Sequence, residues 1–263
     1  MICTLEQIFT AWEGFRRGKA NKLDVMLFER HLEDNLFQLY EGLTTKTYTH
    51  QPYHTFHIFD PKHRVINKAC VRDRVVHHLL FQYLENLYQP SFIYHSYACQ
   101  TGKGLHKAVE NLSNALRKIS RNYTRVAWAL KMDVKKFFDS IDHEILLKLL
   151  TSRVRDQEML ELLEQIVRSY TSAQGPGKGI PIGNLTSQIF ANIYLSELDN
   201  FVQHQLKAHY YFQYADDSLI LHEDPEYLLL ICARIKQFLG DKLQLSLHPR
   251  KVIIRKFSQG IDF

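Results

Sequence analysis

Three aspartates stand where β-prone, apolar runs break off: Asp133 closes the run Val126 to Met132, and Asp216 and Asp217 interrupt the run Tyr210 to His222. Two adjacent carboxylates in an apolar, tyrosine-rich setting repel one another and lose hydration, so they demand a compensating cation. If the strand that ends in Asp133 pairs beside the hairpin that carries the other two, all three join an oxygen-only cluster. Such donors suit Mg²⁺, which keeps some water and takes phosphate oxygens as its remaining ligands. Two such ions about 4 Å apart can stabilise the attacking and leaving oxygens of an in-line phosphoryl transfer. A bare Asp-Asp pair is more often a solvated turn. Here the flanking Tyr214-Ala215 and the available partner strand favour the cluster.

Positioning those side chains requires strands mixed with helices, and the sequence supplies both. Apolar residues recur at helical spacing across residues 5–40, interrupted by Arg16-Arg17-Gly18-Lys19. The Asp60-Pro61 turn separates two alternating runs, Phe56 to Phe59 and Arg64 to Ile66, which predicts a hairpin with Lys62 and Arg64 near its tip. Helical spacing returns at Val75–Leu87 and at Leu105–Ile119, a strand is expected over 125–133, and helices over about 142–151 and 157–170. Residues 174–183 hold too much Gly and Pro for any regular element and feed a helix that Asn184 or Thr186 can cap. Two short strands around Asp216-Asp217, a helix over Pro225–Leu239 and a strand pair, Gln244–Leu247 and Val252–Phe257, close the chain. Without regular βαβ alternation the fold class is α+β.

Composition narrows the function classes. With 45% hydrophobic and 23% charged residues the 263-residue chain is globular, and its net charge of +5 is compatible with a polyanionic partner without proving one. Four cysteines without a C-x-x-C pair give neither a zinc knuckle nor a disulfide framework, and fit packing roles in a reducing compartment. Fourteen histidines, among them His50, His54, His57 and His63, follow no regular zinc spacing and read as surface and strand residues. No uncharged apolar stretch approaches the roughly 18 residues of a membrane span. A cytoplasmic protein with no membrane contact is expected.

The motifs extend beyond the aspartates. Tyr214-Ala215-Asp216-Asp217 resembles the catalytic hairpin of reverse transcriptases, and Lys131-Met132-Asp133-Val134-Lys135-Lys136-Phe137-Phe138 resembles their strand-to-helix motif with the first metal ligand. The resemblance covers most of the chain from residue 56 onward. Within the family, GIPIGNLTSQ, residues 179–188, is similar to the reverse transcriptases of diversity-generating retroelements, with Ile182 and Gln188 carrying that narrower likeness. More broadly the chain resembles bacterial reverse transcriptases like those of group II introns.

The resemblance implies an RNA-directed DNA polymerase with a right-hand fold. Fingers are expected over 1–118 and 145–178, palm over 119–144 and 179–263, with the chain ending before a thumb, which would make it poorly processive. Asp133 and Asp216 become ligands of two Mg²⁺ ions, for which Mn²⁺ can substitute, with Asp217 and Val134 in support. Val134, Lys135, Phe138, Ile182, Gly183 and Gln188 would surround the incoming dNTP, Phe138 as the ring that excludes a 2′-hydroxyl and Phe137 as core. Lys62, Arg64 and then Arg74 would reach its phosphates, although an Arg beside Asp73 also suits an internal salt bridge. Lys251 would stand near the leaving pyrophosphate as a general acid, or be an ordinary strand-edge charge. Tyr214 and the Gly102-Lys103-Gly104 turn would contact template or primer, the turn through backbone N–H groups and a lysine, without the spacing of a P-loop. Ile182 cannot donate the hydrogen bonds of a glutamine, which implies low fidelity, above all at template adenines. The implied partners are an RNA template, a DNA or RNA primer, dNTPs and a small basic accessory protein. Two alternatives are a template-independent nucleotidyltransferase of the same fold and a catalytically silent nucleic-acid-binding module.

Overall fold

The computed structural model describes residues 3–60 and 63–260, so Lys62 lies outside the described residues. In chain order the elements are helices α1 (Leu5–Arg16), α2 (Leu23–Glu29) and α3 (Leu32–Thr44), strands β1 (His54–Ile58) and β2 (Arg64–Lys68), and helices α4 (Val71–Tyr88) and α5 (Leu105–Ile119). Strand β3 (Trp128–Asp133) precedes helices α6 (Phe137–Ser140), α7 (His143–Arg153), α8 (Gln157–Arg168) and α9 (Leu185–Asn200). Strands β4 (Tyr211–Tyr214) and β5 (Asp217–His222), helix α10 (Pro225–Leu243) and strand β6 (Ile253–Lys256) complete the order. The chain divides into two compact units, residues 1–90 with 143–190, and residues 91–142 with 191–263.

The first unit is helical around one small sheet. Thr4 caps α1 through a reciprocal box with Gln7, and Ile8, Ala11, Trp12 and Phe15 on its inner face are buried against α4 and its neighbours. Strands β1 and β2 pair antiparallel from His54↔Lys68 to Ile58↔Arg64 as a two-stranded sheet. The Gly/Pro loop is fastened to β2. Asn184 donates from Nδ2 to the Asn67 carbonyl at 2.7 Å and accepts the Ala69 N–H at 3.0 Å, and the Asn67 N–H donates to Ile182 O at 2.9 Å. Gly183, at φ +114°, is required there, since a Cβ would come within 2.7 Å of Ile66 Cγ2. Asn184 therefore bolts a loop to a strand, and Thr186 hydrogen-bonds the buried His77, which burial keeps neutral by pushing its pKa down to about 3. Asn184 immediately precedes Leu185, in the position expected of the cap, and Thr186 lies inside the first turn of α9.

The second unit is built on a four-stranded antiparallel sheet in the order β4-β5-β3-β6. Ala108, Leu112, Ala115, Leu116 and Ile119 of α5 form one core with Ala129, Phe212, Leu219 and Leu221, all on one face of that sheet. Helix α10 packs on β3, β5 and β6, and Leu130, Met132, Tyr211 and Ile220, which alternate to the opposite face, are fully buried as well. The second unit therefore takes in α5, whose apolar stripe enters the sheet core, and the first unit resumes over residues 143–190.

Two smaller expectations change. The Gln244–Leu247 strand does not form, because α10 runs on to Leu243 and Gln244 caps it at φ +50°, leaving one isolated bridge between Leu247 and Val134. Cys3 is buried as a packing residue should be, but Cys70 and Cys99 are exposed, and all four thiols are free. Among the described residues no helix is long and apolar enough to cross a membrane.

Candidate active site

The sheet brings the three aspartates together. Tyr214 pairs with Asp217 across the two-residue turn Ala215-Asp216, and Asp133 stands directly opposite Asp217 in the β3–β5 register. Ala215 makes the turn at φ +52°, a conformation that costs a residue with a Cβ about 1 kcal/mol or more. The Val134 N–H donates to Asp216 O at 3.3 Å, so the turn is tied to the end of β3. On the other side, His248 N–H donates to Asp133 O and Lys135 N–H to Ser246 O, each at 2.8 Å. The backbone that carries Asp133 is thus held from both neighbours.

Electrostatics follow from this crowding. Asp133 is only 7% exposed, and its Oδ2 receives the Lys251 ammonium at 2.5 Å. Lys131 Nζ lies 3.7 Å from Asp217 Oδ1. Burial raises the Asp216 pKa, the charges of Asp133 and Asp217 raise it further, and Lys251 opposes them. The hydrogen bond to Asp133 and the three negative charges in turn raise the Lys251 pKa. Among the described residues no three His, Cys, Asp or Glu side chains close into a ready-made metal cage. The donor set nevertheless fits Mg²⁺: it is all oxygen, it is incomplete as a site that accepts water and phosphate must be, and a cationic ammonium already sits on it.

The same unit holds several other predicted residues. Phe137 is buried at 2% exposure, while Phe138 is half-buried and meets it edge to face at 5.4 Å, which separates a core ring from an accessible one. Lys135 is exposed. Tyr214 packs against the α5 core. Gly102 and Gly104 both take positive φ before α5, but the Lys103 ammonium turns inward to the carbonyls of Tyr94 at 3.0 Å and Ile93 at 3.3 Å.

The first unit holds the rest. Arg64 is exposed on β2. Ile182 is half-buried beside that strand, and Gln188 is exposed on the first turn of α9. Arg74 is an internal ion-pair partner of Asp24, with its guanidinium 4.8 Å from the centre of the Phe15 ring. The neighbouring Asp73, which suggested an internal salt bridge, pairs instead with Arg72.

The sequence pattern of the family described as "Reverse transcriptase (RNA-dependent DNA polymerase)" matches residues 59–262. The chain belongs to this family. Group II intron-encoded protein LtrA of Lactococcus lactis subsp. cremoris is 29% identical over 177 residues, 65% of this chain and 28% of that protein. An uncharacterized 91 kDa protein in a cob intron of Schizosaccharomyces pombe is 33% identical over 144 residues, 53% of this chain and 17% of that protein. The chain therefore spans well under half the length of these relatives. Telomerase from Candida albicans, solved with a fragment of telomeric RNA, superposes with a TM-score of 0.59 at 15% identity over 87% of this chain and 49% of that one. That likeness supports the right-hand polymerase fold.

In this reverse transcriptase chain, sequence reasoning missed three supporting residues. Lys131 alternates onto the same face as Asp133 and Asp217, a placement that the strand's period of two could have revealed. Asn184 reads in the sequence only as a cap, and its two ties to the β2 segment need that strand's position. Asp199, one residue from the end of α9, accepts a 2.7 Å hydrogen bond from the Tyr211 hydroxyl of β4. The two NH₂ contacts of Gln213 complete its shell once that amide is oriented to donate. A lone aspartate on an apolar face was the available signal.

Proposed function

We propose that the chain is an RNA-directed DNA polymerase that copies an RNA template into cDNA, error-prone and part of a diversity-generating retroelement. The observation that carries the polymerase reading is the in-register pairing of Asp133 with Asp217, with Asp216 on the adjoining turn and Lys251 neutralising the cluster. Asp133 and Asp216 would hold two Mg²⁺ ions, or Mn²⁺ in their stead, with Asp217 and the Val134 backbone in support. When bound, those ions would polarise the primer hydroxyl and neutralise charge on the leaving pyrophosphate.

The chain's own residues do the remainder. The buried sheet fixes the carboxylates before substrate arrives, so little reorganisation is needed. Lys251, which three carboxylates keep protonated, would be the general acid toward the leaving phosphate. Phe138, accessible while Phe137 is buried, excludes a 2′-hydroxyl by volume. Arg64, exposed on β2, would serve the triphosphate, and the resemblance gives Lys62 the same role. Ile182 can pack against the nascent pair but cannot hydrogen-bond to it, which supports the low fidelity and the retroelement class. The resemblance to that class also supports a small basic accessory protein and a cytoplasmic setting.

One assay tests the reading. Offered a primed RNA, four dNTPs and Mg²⁺, the chain should make complementary cDNA. Tails independent of sequence would make it a terminal transferase, and binding without synthesis a silent module. Sequenced products should carry more errors at template adenines than at other bases; equal rates would remove the retroelement assignment. The Phe138→Ala variant should lose its preference for dNTP over NTP.

A further inference from the structure

The β1–β2 hairpin presents rings that its own folding does not need. His57, Phe59 and His63 share one face of the hairpin, all exposed, Phe59 to 74%. His57 Nδ1 and His63 Nε2 are 2.7 Å apart, with ring planes only 4° from parallel and centroids 5.0 Å apart. Stacked rings need about 3.5 Å between planes, so a 2.7 Å nitrogen contact places these two imidazoles edge to edge in one plane. They form a hydrogen-bonded pair of flat rings, one nitrogen donating and the other accepting.

Phe59 meets that pair differently. Its centroid is 5.0 Å from His63 at 24° and 6.3 Å from His57 at 21°. A phenyl and an imidazole so close and so nearly parallel would overlap if set edge to edge, so the phenyl lies offset over the pair, in the range of favourable aromatic contact. The result is an exposed aromatic surface beside the two-stranded sheet, not an aliphatic groove of the kind that receives a protein helix. Arg64 follows His63 directly, is exposed, and makes no ion pair among the described residues.

We propose that the His57–His63 pair, braced by Phe59, is a stacking platform for one unpaired nucleobase of a single-stranded nucleic acid, while the adjacent Arg64 stays with the incoming triphosphate. This rests on the polymerase reading for its substrate, which has an unpaired template ahead of the duplex. Every base has a π-face, so stacking on the platform is indifferent to sequence, and the one nitrogen of each imidazole that faces the other is taken up by the ring pair. The site uses no titration and no metal.

The test compares binding of a primer–template that carries a 5′ overhang with binding of a blunt duplex of equal paired length, by fluorescence anisotropy. The wild-type chain should bind the overhang substrate more tightly. Phe59→Ala should weaken that complex roughly ten-fold and leave the blunt complex unchanged, while Phe59→Trp should retain the wild-type affinity. One abasic position in the overhang should abolish the effect of Phe59→Ala. Equal weakening of both complexes, no weakening of either, or losses from the abasic site and the variant that simply multiply would overturn the proposal. A wild-type chain that binds neither substrate would overturn the platform and the polymerase together. Primer extension on the same sample keeps the two apart: an intact overhang effect without DNA synthesis upholds the platform and removes the polymerase.

Discussion

Two antiparallel hairpins in this molecule put opposite demands on their side chains. In the β4–β5 hairpin the central residues of β5, Ser218 to Leu221, are all buried, and β3 pairs along its length. In the β1–β2 hairpin most residues are exposed, β1 pairs among the described residues with β2 alone, and rings and a guanidinium face solvent. The first spends its packing on holding three carboxylates at fixed register, where like charges would otherwise push apart. The second leaves chemistry-bearing groups free to meet something that arrives and departs. Fixed geometry serves the bond being made; exposed groups serve a substrate that must be captured and released.

Substitutions can break this contrast. Phe212→Ala in β4 removes a fully buried ring from the core shared with α5. It should cost about 3–5 kcal/mol, read as a fall in Tm of roughly 2–4 °C per kcal/mol. Asp216→Asn should leave the fold intact, because it replaces a buried carboxylate crowded by two others, yet lower primer extension at least about a hundred-fold. Retained synthesis would contradict the role of the turn.

A finer test lies behind the sheet. Burial pushes the Asp199 carboxyl up to about 8. A carboxyl raised in the folded state keeps its proton where the unfolded chain has lost it, so its contribution to stability is full below about pH 4 and is lost as pH rises towards 8. Asp199→Asn, which cannot ionise, should flatten the fall in Tm across that window. A variant with the wild-type slope would mean that the Tyr211 and Gln213 donors hold the carboxylate ionised. The smallest effect belongs to the exposed hairpin: Phe59→Ala should change stability by no more than about 0.5 kcal/mol, and a larger loss would show that the ring is part of a core.

Much of this was legible in the residues. The spacing of Leu105 to Ile119 predicts α5 with the bounds observed, and the Tyr214-Ala215-Asp216-Asp217 hairpin and the strand ending in Asp133 form where alternation and turn residues put them. What local pattern could not convey is which core an element enters. Helix α5 carries an apolar stripe that suits either unit, and only the sheet's exposed face claims it. The alternating Leu245 and Leu247 look β-prone, but a helix extended to Leu243 takes up the residues a strand would need. Lys251 could be placed near the phosphates by resemblance, whereas its hydrogen bond to Asp133, 118 residues away, depends on tertiary register. The His57–His63 pair has no sequence signature, because two rings six positions apart become a cross-strand contact only once the hairpin closes.

The central claim is that the paired Asp133 and Asp217, with Asp216 on the turn, make a templated polymerase. Primer extension on a defined RNA, with sequencing of the product and Asp216→Asn run beside the wild type, tests it most directly. The account predicts DNA complementary to the RNA from the wild type and none from the variant. Product unrelated to the template, or synthesis that survives in the variant, would contradict it.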